Sequence, residues 1–544
     1  MSTQQTSNKP KKKIIPKIII FLIIIAVIIA AIRLLIFSIQ GPGPEQVDTQ
    51  VKYQNVEFPH SHIGDIKESL PFMGVSVLDA DGDGLDEILV GGGHGQQDAI
   101  YSYDQQGFTS FQTSGLDKEE KDATFGVASL DVDRDGLEDL FLARESGVYY
   151  AKNAGEGNFE SRKLEFGLAE NTTPLSIALG DINRDGFVDL YISGYIKLKY
   201  AEGETNFSDD YGGHSYLLLN NGQNEWSDIS QSSGIAKQHN RFLAVFADLN
   251  GDQWPDLVVA QDTGKVKIWE NRKDNTFLKH EDPTDYAYPM GLGVGDIDND
   301  GDVDLYFSNV GNTLPRLMVK GNLTNEQVLN MDYILLENTG NFTFKDISVA
   351  KNAANYGFGW GTTIADFNND SRMDLYFSQN YARFPGAKYW KLYPGRLLEQ
   401  QTDGTFLSVE KSAGAENPAF GITQVVSDFN KDGTLDLVIG NLQGPTKAFI
   451  AKETGKSKGI SVMLPRTAEW LNAVGCVALA NGTVLTRQLV ASEGLCSDGF
   501  HGLHFGLGEN VDAVDLEITR VDGKTYSYKG VKAGSQFIVS ETAR

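Results

Sequence analysis

A nine-residue segment that recurs along the chain constrains its fold more than any other feature. One copy runs Asp131, Val132, Asp133, Arg134, Asp135, Gly136, Leu137, Glu138, Asp139. Oxygen-bearing side chains fall at positions 1, 3, 5 and 9, and glycine stands at position 6. Alternate carboxylates in a tight loop suit a hard cation: Ca²⁺ takes about 6–8 oxygens, and a backbone carbonyl at position 7 commonly adds one. Glycine at position 6 permits a turn that a Cβ would obstruct.

Seven copies begin at Asp79, Asp131, Asp181, Asp248, Asp296, Asp366 and Asp428, spaced by 52, 50, 67, 48, 70 and 62 residues. Position 3 is Asp81, Asp133, Asn183, Asn250, Asp298, Asn368 and Asn430. Position 5 is Asp83, Asp135, Asp185, Asp252, Asp300, Asp370 and Asp432, and position 9 is Glu87, Asp139, Asp189, Asp256, Asp304, Asp374 and Asp436. Gln253 and Ser371 replace the glycine in loops four and six, which should bind a cation more weakly. An EF-hand is excluded, since it requires a bidentate Glu at position 12 and flanking helices. Here short apolar runs follow at once, such as Leu140-Phe141-Leu142 and Leu437-Val438-Ile439, and similar runs precede each loop. They read as strands, so each loop joins a hairpin. Asp/Gly-rich hairpin turns are common, but seven copies in register are not explained by turn chemistry alone.

These strand–loop–strand units resemble the FG-GAP/VCBS repeats of integrin-α-like β-propellers, over about 390 residues. The resemblance implies one four-stranded blade per repeat and one Ca²⁺ per loop, up to seven. Periods near 50 residues independently suggest a propeller or solenoid, and seven copies fall within the usual 4–8 blades. The expected fold is all-β: a seven-bladed propeller over 47–457, with Val51-Lys52-Tyr53 and Val56-Glu57-Phe58 alternating like a strand able to close the last blade. The net charge of −26 is largely loop charge, because 24 of the 28 loop positions are carboxylates.

Residues 1–17 form a basic tail with Lys9, Lys11, Lys12, Lys13 and Lys17, and 18–39 form an apolar run whose one charge is Arg33. Twenty-two residues suffice to span a bilayer, and no clean cleavage site follows, so the run is expected to be an uncleaved transmembrane signal anchor. The lysines place the N-terminus in the cytoplasm. Beyond a linker at 40–46, the bulk is expected outside the cytosol, periplasmic or extracellular. Two cysteines in so long an exported chain fit a bacterial envelope protein.

Extra residues in repeats three, five and six, near 194–216, 309–333 and 379–398, should lie on the face opposite the acidic loops. The third insertion is basic and aromatic, with Arg383, Lys388, Tyr389, Trp390, Lys391 and Arg396. Such side chains make binding hot spots, so this face is expected to take a protein or glycan ligand; alternatively, the insertions only cap the central channel. An acidic chain without a basic stripe is not expected to bind nucleic acid.

Residues 458–544 read as a small β domain behind a polar stretch at 452–459. Asn472-Ala-Val-Gly475, Arg487-Gln488, His504-Phe505-Gly506-Leu507-Gly508 and Val514-Asp-Leu-Glu-Ile518 resemble the ASPIC/UnbV domain that follows such repeats in the cartilage acidic protein-like family. Leu495-Cys-Ser-Asp498 departs from that family's Tyr-x-Ser-Gln, and Arg520-Val521-Asp522 from its Trp-Pro. Cys476 and Cys496 are the only cysteines, and an oxidising compartment would favour a disulfide between them. The pairs His60/His62 and His501/His504 are compatible with a transition metal, or more simply with capping. No motif of a nucleophile elbow, zinc protease or P-loop occurs. Binding or adhesion is therefore the leading function, with a calcium-dependent polysaccharide lyase or hydrolase as the alternative.

Overall fold

The computed structural model describes residues 46–64, 68–201, 205–208, 210–313, 316–380 and 393–540. The segment 18–39 and residues Arg383, Lys388, Tyr389, Trp390 and Lys391 lie outside the described residues. Among the described residues no helix is long and apolar enough to cross a membrane.

Each acidic loop joins the two innermost strands of an antiparallel sheet. The second sheet is representative: Thr124–Leu130, Asp139–Arg144, Gly147–Asn153 and Phe159–Lys163, paired in that order. Its first two strands are buried at every residue, whereas the outermost is buried only at Phe159. Unbroken apolar runs are what a strand covered on both faces requires. Seven such sheets follow one another, their innermost strands beginning at Val75, Thr124, Thr172, Arg241, Leu292, Gly359 and Gly421. Where neighbouring blades touch, glycine lets backbones meet. A Cβ on Gly126 would lie 2.2 Å from the Leu175 carbonyl oxygen, and one on Gly291 equally close to that of Trp360.

The seventh sheet is completed by the N-terminal strand Val51–Val56, antiparallel to Lys447–Thr454 with Val51 opposite Thr454. The alternation at 51–58 thus becomes the ring's closure and removes an exposed sheet edge.

The C-terminal domain follows with almost no linker. Lys447–Thr454 turns at Gly455 directly into Ser457–Met463, so the polar stretch at 452–459 is largely strand and tight turn. Two sheets form this domain. One places Ser457–Met463 between Gly502–Glu509 and Ser535–Ile538; the other orders Val484–Gln488, Val474–Ala478, Ala513–Thr519 and Thr525–Lys532. Trp470, Ile460, Phe505 and Ile518 lie in the core between them.

Residues 489–498 leave this domain and enter the centre of the ring. Leu292 and Gly494 exchange backbone hydrogen bonds of 2.9 and 2.7 Å, and Ser497–Asp498 adds a parallel strand to Val75–Leu78. Leu495 and Cys496 join one core with Phe125, Phe242, Leu292 and Trp360. From the opposite end Phe72 packs against Phe242 at 5.5 Å and Trp360 at 5.9 Å. Apolar side chains therefore fill the channel from both ends.

The first two insertions lock together on that opposite face. Asn322 Nδ2 donates to Asn206 Oδ1 at 3.0 Å, the Phe207 N–H donates to Asn322 Oδ1 at 2.8 Å, and the Phe207 ring stands 5.4 Å from Tyr288. These two insertions therefore cover that end of the channel, with Phe207 in its core. Leu495→Ala should lower unfolding free energy by about 2–5 kcal/mol, as large-to-small changes in packed cores do. Urea denaturation measures this, and a loss below about 0.5 kcal/mol would show that the plug is not part of the cooperative core.

Candidate functional site

The seven loops share one hydrogen-bond pattern. In loop two, Asp131 Oδ1 accepts the Asp135 N–H at 3.1 Å and Oδ2 accepts that of Gly136 at 3.0 Å, while Asp135 Oδ1 accepts the Leu137 N–H. Two backward turns are needed, and both positions 4 and 6 have positive φ, 62° at Arg134 and 90° at Gly136. Gln253 and Ser371 adopt that conformation without glycine, at φ 68° and 76°. A non-glycine residue there costs about 1–2 kcal/mol.

Position 9 is buried in every loop. Asp139 Oδ2 accepts the Val132 N–H at 3.2 Å, Oδ1 accepts the Asn153 N–H at 2.8 Å, and the Tyr150 hydroxyl donates to Oδ2 at 2.8 Å. Asp189, Asp256, Asp304, Asp374 and Asp436 likewise tie the loop's second residue to the blade's third strand.

Ligand-capable oxygens converge within 4.8 Å of one another in three clusters: Asp79, Asp81 and Glu87; Asp131, Asp133 and Asp135; Asp296, Asp298 and Asp300. Desolvation raises Asp79, Glu87, Asp131, Asp296 and Asp298 above the ordinary carboxylate range, and the neighbouring acids add to it. Glu87 is pushed up to about 8, Asp139 to about 7, Asp304 to about 8 and Asp296 to about 6. In some loops the chain supplies a cation: Lys152 binds Asp133 and Asp135, Lys273 lies 3.2 Å from Asp252, and Arg372 binds Asp370. Among the described residues no ion pair reaches Asp298 or Asp300.

Sequence reasoning missed the residue that joins one loop to the next blade. Asn153 Nδ2 donates to the Ala80 carbonyl of loop one at 2.9 Å and to Glu138 of its own loop at 3.1 Å. Asn271, Asn338 and Gln400 repeat this toward Ile182, Leu249 and Ile297. The available signal was an Asn-x-Gly at the end of the third strand, as in Asn153-Ala-Gly155 and Asn338-Thr-Gly340.

The C-terminal domain sits on the acidic-loop face. Its Arg466 carbonyl accepts the Asp131 N–H at 2.8 Å, Gln488 Oε1 accepts the Asp248 N–H at 3.1 Å, and His504 Nε2 lies 2.8 Å from Asn369 Oδ1. The Arg466 guanidinium binds Asp86 and, at 2.6 Å, Glu138. Between the domains is a crevice of about 360 Å³, lined by Asp248, Asp296 and Asp366 on one side and Arg487, His504 and Arg520 on the other.

Several expectations change. Cys476 and Cys496 are free thiols: Cys496 is buried in the channel, while Cys476 lies on a C-terminal strand opposite Thr486. Arg396 does not belong to an open face; it is 8% exposed and bound to Glu410, because its third-strand position turns it inward. The four histidines are buried and hydrogen-bonded: His60 to Tyr101, His62 to Gln443, His501 to Asp498 and His504 to Asn369.

The raised carboxylates carry a sign. Their folded-state values lie above the unfolded range, so the folded state holds more protons between them, and stability declines as pH rises through that window. In metal-chelated protein the Tm should therefore fall between pH 5 and the value of about 8 reached by Glu87 and Asp304. Scanning fluorimetry in chelator reads this, and a flat or rising Tm would refute it.

Comparison with known proteins agrees with this architecture. A model of the FG-GAP-like repeat matches residues 79–142, 131–192 and 248–307, and one described as ASPIC and UnbV matches 472–544. Cartilage acidic protein 1 of Xenopus tropicalis is 24% identical over 497 residues, covering 84% of this chain and 71% of that protein. Its Homo sapiens counterpart is 23% identical over 516 residues, covering 86% and 71%. Integrin alpha-7 of Mus musculus is 27% identical over 152 residues, 25% of this chain and 12% of the integrin. The chain thus joins FG-GAP-like repeats to an ASPIC/UnbV domain, and its similarity to cartilage acidic protein 1 spans most of both chains.

Proposed function

We propose that this chain is a calcium-loaded propeller acting outside the cytosol as a binding or adhesion module, held at the membrane by residues 18–39. The observation that carries this reading is the cluster of Asp296, Asp298 and Asp300, whose oxygens lie within 4.8 Å of one another. Several carboxylates in a small volume repel one another, and desolvation compounds the cost. A divalent ion held by positions 1, 3, 5 and 9, with the position-7 carbonyl, would relieve both. The donor set is all oxygen, which suits Ca²⁺ rather than a thiolate- or imidazole-seeking metal.

Ligand recognition is assigned to the face opposite the loops. The insertion helix Arg316–Val319 presents Leu317 at 81% exposure and Met318 at 68%. Arg383, Lys388, Tyr389, Trp390 and Lys391 belong by sequence to the third insertion of that face. A protein or a glycan is the partner class, in keeping with the similarity to an integrin.

Thermal unfolding of residues 41–544 with Ca²⁺ and with chelator, alongside a metal count, tests the scaffold. Expected are about five to seven Ca²⁺ per chain and a Tm gain of about 10 °C or more, since an ion that binds only the native state stabilises it by mass action. No bound metal and no shift would leave the acidic loops as hairpin turns only. The face is tested on a glycan array and a panel of matrix proteins: replacing Arg383, Lys388 and Trp390 by alanine should abolish any binding seen while leaving Tm unchanged. An unaltered binding profile would remove the assignment.

A further inference from the structure

The crevice between the acidic loops and the C-terminal domain holds a buried cation whose hydrogen-bonding edge the protein does not use. Arg487 is 7% exposed. Its Nη1 donates to the Thr486 carbonyl at 2.7 Å, and its guanidinium stands 5.9 Å from the centre of the Phe505 ring. Its Nε and Nη2 meet no acceptor among the described residues. These two nitrogens form one edge of the guanidinium, the fork that takes both oxygens of a carboxylate or two of a sulfate. A buried guanidinium edge without an acceptor is costly.

The nearby acids do not fill the role. Asp296 Oδ1 and Oδ2 accept the N–H groups of Asp300 and Gly301, and Asp366 Oδ1 and Oδ2 accept those of Asp370 and Ser371. Neither acid forms an ion pair with Arg487 among the described residues. Gly506 holds the strand so close to loop six that a Cβ there would lie 1.9 Å from Asp366 Oδ2. Arg487, Gln488 and His504 thus line one crevice, whose volume of about 360 Å³ lies within the range of small-molecule sites.

We propose that this crevice is a binding site for a small oxyanion-bearing molecule, a carboxylate or sulfate of sugar-acid size, gripped by the Nε–Nη2 edge of Arg487. The inference rests on the calcium reading, because Ca²⁺ in loops four, five and six would neutralise Asp248, Asp296 and Asp366 and leave Arg487 as the uncompensated charge. The site is distinct from the insertion face, and it places the ligand where both domains touch it.

Isothermal titration of the full chain tests this, with calcium counted in the same sample. Glucuronate and inorganic sulfate are the probes, and glucose is the neutral control. Expected is saturable binding at one site per chain for glucuronate, for sulfate or for both, none for glucose, and at least a tenfold loss in chelator. Glucuronate alone would assign a carboxylate, sulfate alone a sulfate ester. Arg487→Lys keeps the charge but removes the fork, and should weaken binding at least tenfold at unchanged calcium content. Calcium bound without saturable oxyanion binding to the unaltered protein overturns the inference and leaves the calcium reading intact, whatever the variant does. Binding unaffected by Arg487→Lys also overturns it. No calcium and no oxyanion binding defeats both readings.

Discussion

The architecture depends on a carboxylate at the ninth position of each loop. Asp139 and its aspartate counterparts are buried, and their oxygens receive backbone N–H groups from the loop and from the third strand of the same blade. Without them the loop's N–H groups would be buried and unpaired, a condition folded proteins avoid. The side chain that follows on the third strand, Asn153 in blade two, then reaches the loop of the preceding blade. Local turn chemistry and the contact between blades are therefore one network. An acidic loop of this kind would build a propeller even where it held no ion, and its spare oxygens are what remain for a metal.

The same network fixes the domain arrangement. Loop backbone committed to its own carboxylates leaves a defined set of outward groups, and the C-terminal domain meets them through Arg466, Gln488 and His504. The acidic face is consequently partly covered: Asp248, Asp296 and Asp366 are buried, while Asp81, Asp83, Asp298 and Asp300 stay exposed. On the reading proposed above, a ligand of the propeller would be taken on the far side or in the crevice.

Much of this was legible in the residues. The period of the loops, their position-9 acids and the apolar runs on both sides specify hairpins, and the alternation at 51–58 anticipates the closing strand. What was not legible was long-range. Leu495-Cys-Ser-Asp498 stood out only as a departure from a family pattern; nothing local shows that it fills a channel, because the channel exists only when blades far apart in sequence surround it. The cysteines misled for that reason, since twenty residues of separation do not reveal that Cys496 points into the channel while Cys476 stays half-buried on a strand of the other domain. Arg396 looked like part of a basic patch, but its strand register turns it onto Glu410. Asn153 and its equivalents went unread: an Asn just before a glycine at a strand's end suggests only a turn, and nothing local shows that its amide also serves the neighbouring blade.

The closing strand has a consequence for how the chain acquires its structure. Val51 pairs with Thr454, and the channel is filled by residues near 495. Contacts of such sequence separation form slowly, because an entire chain must be ordered before they are rewarded. During synthesis the first strand has no partner until the last blade leaves the ribosome, and the ring remains hollow until the segment after it arrives. Partly made chains would expose an apolar bore and an open sheet edge, both sticky. The order of events is thus written into the topology: blades first, closure second, and the final domain as the stopper that completes the interior.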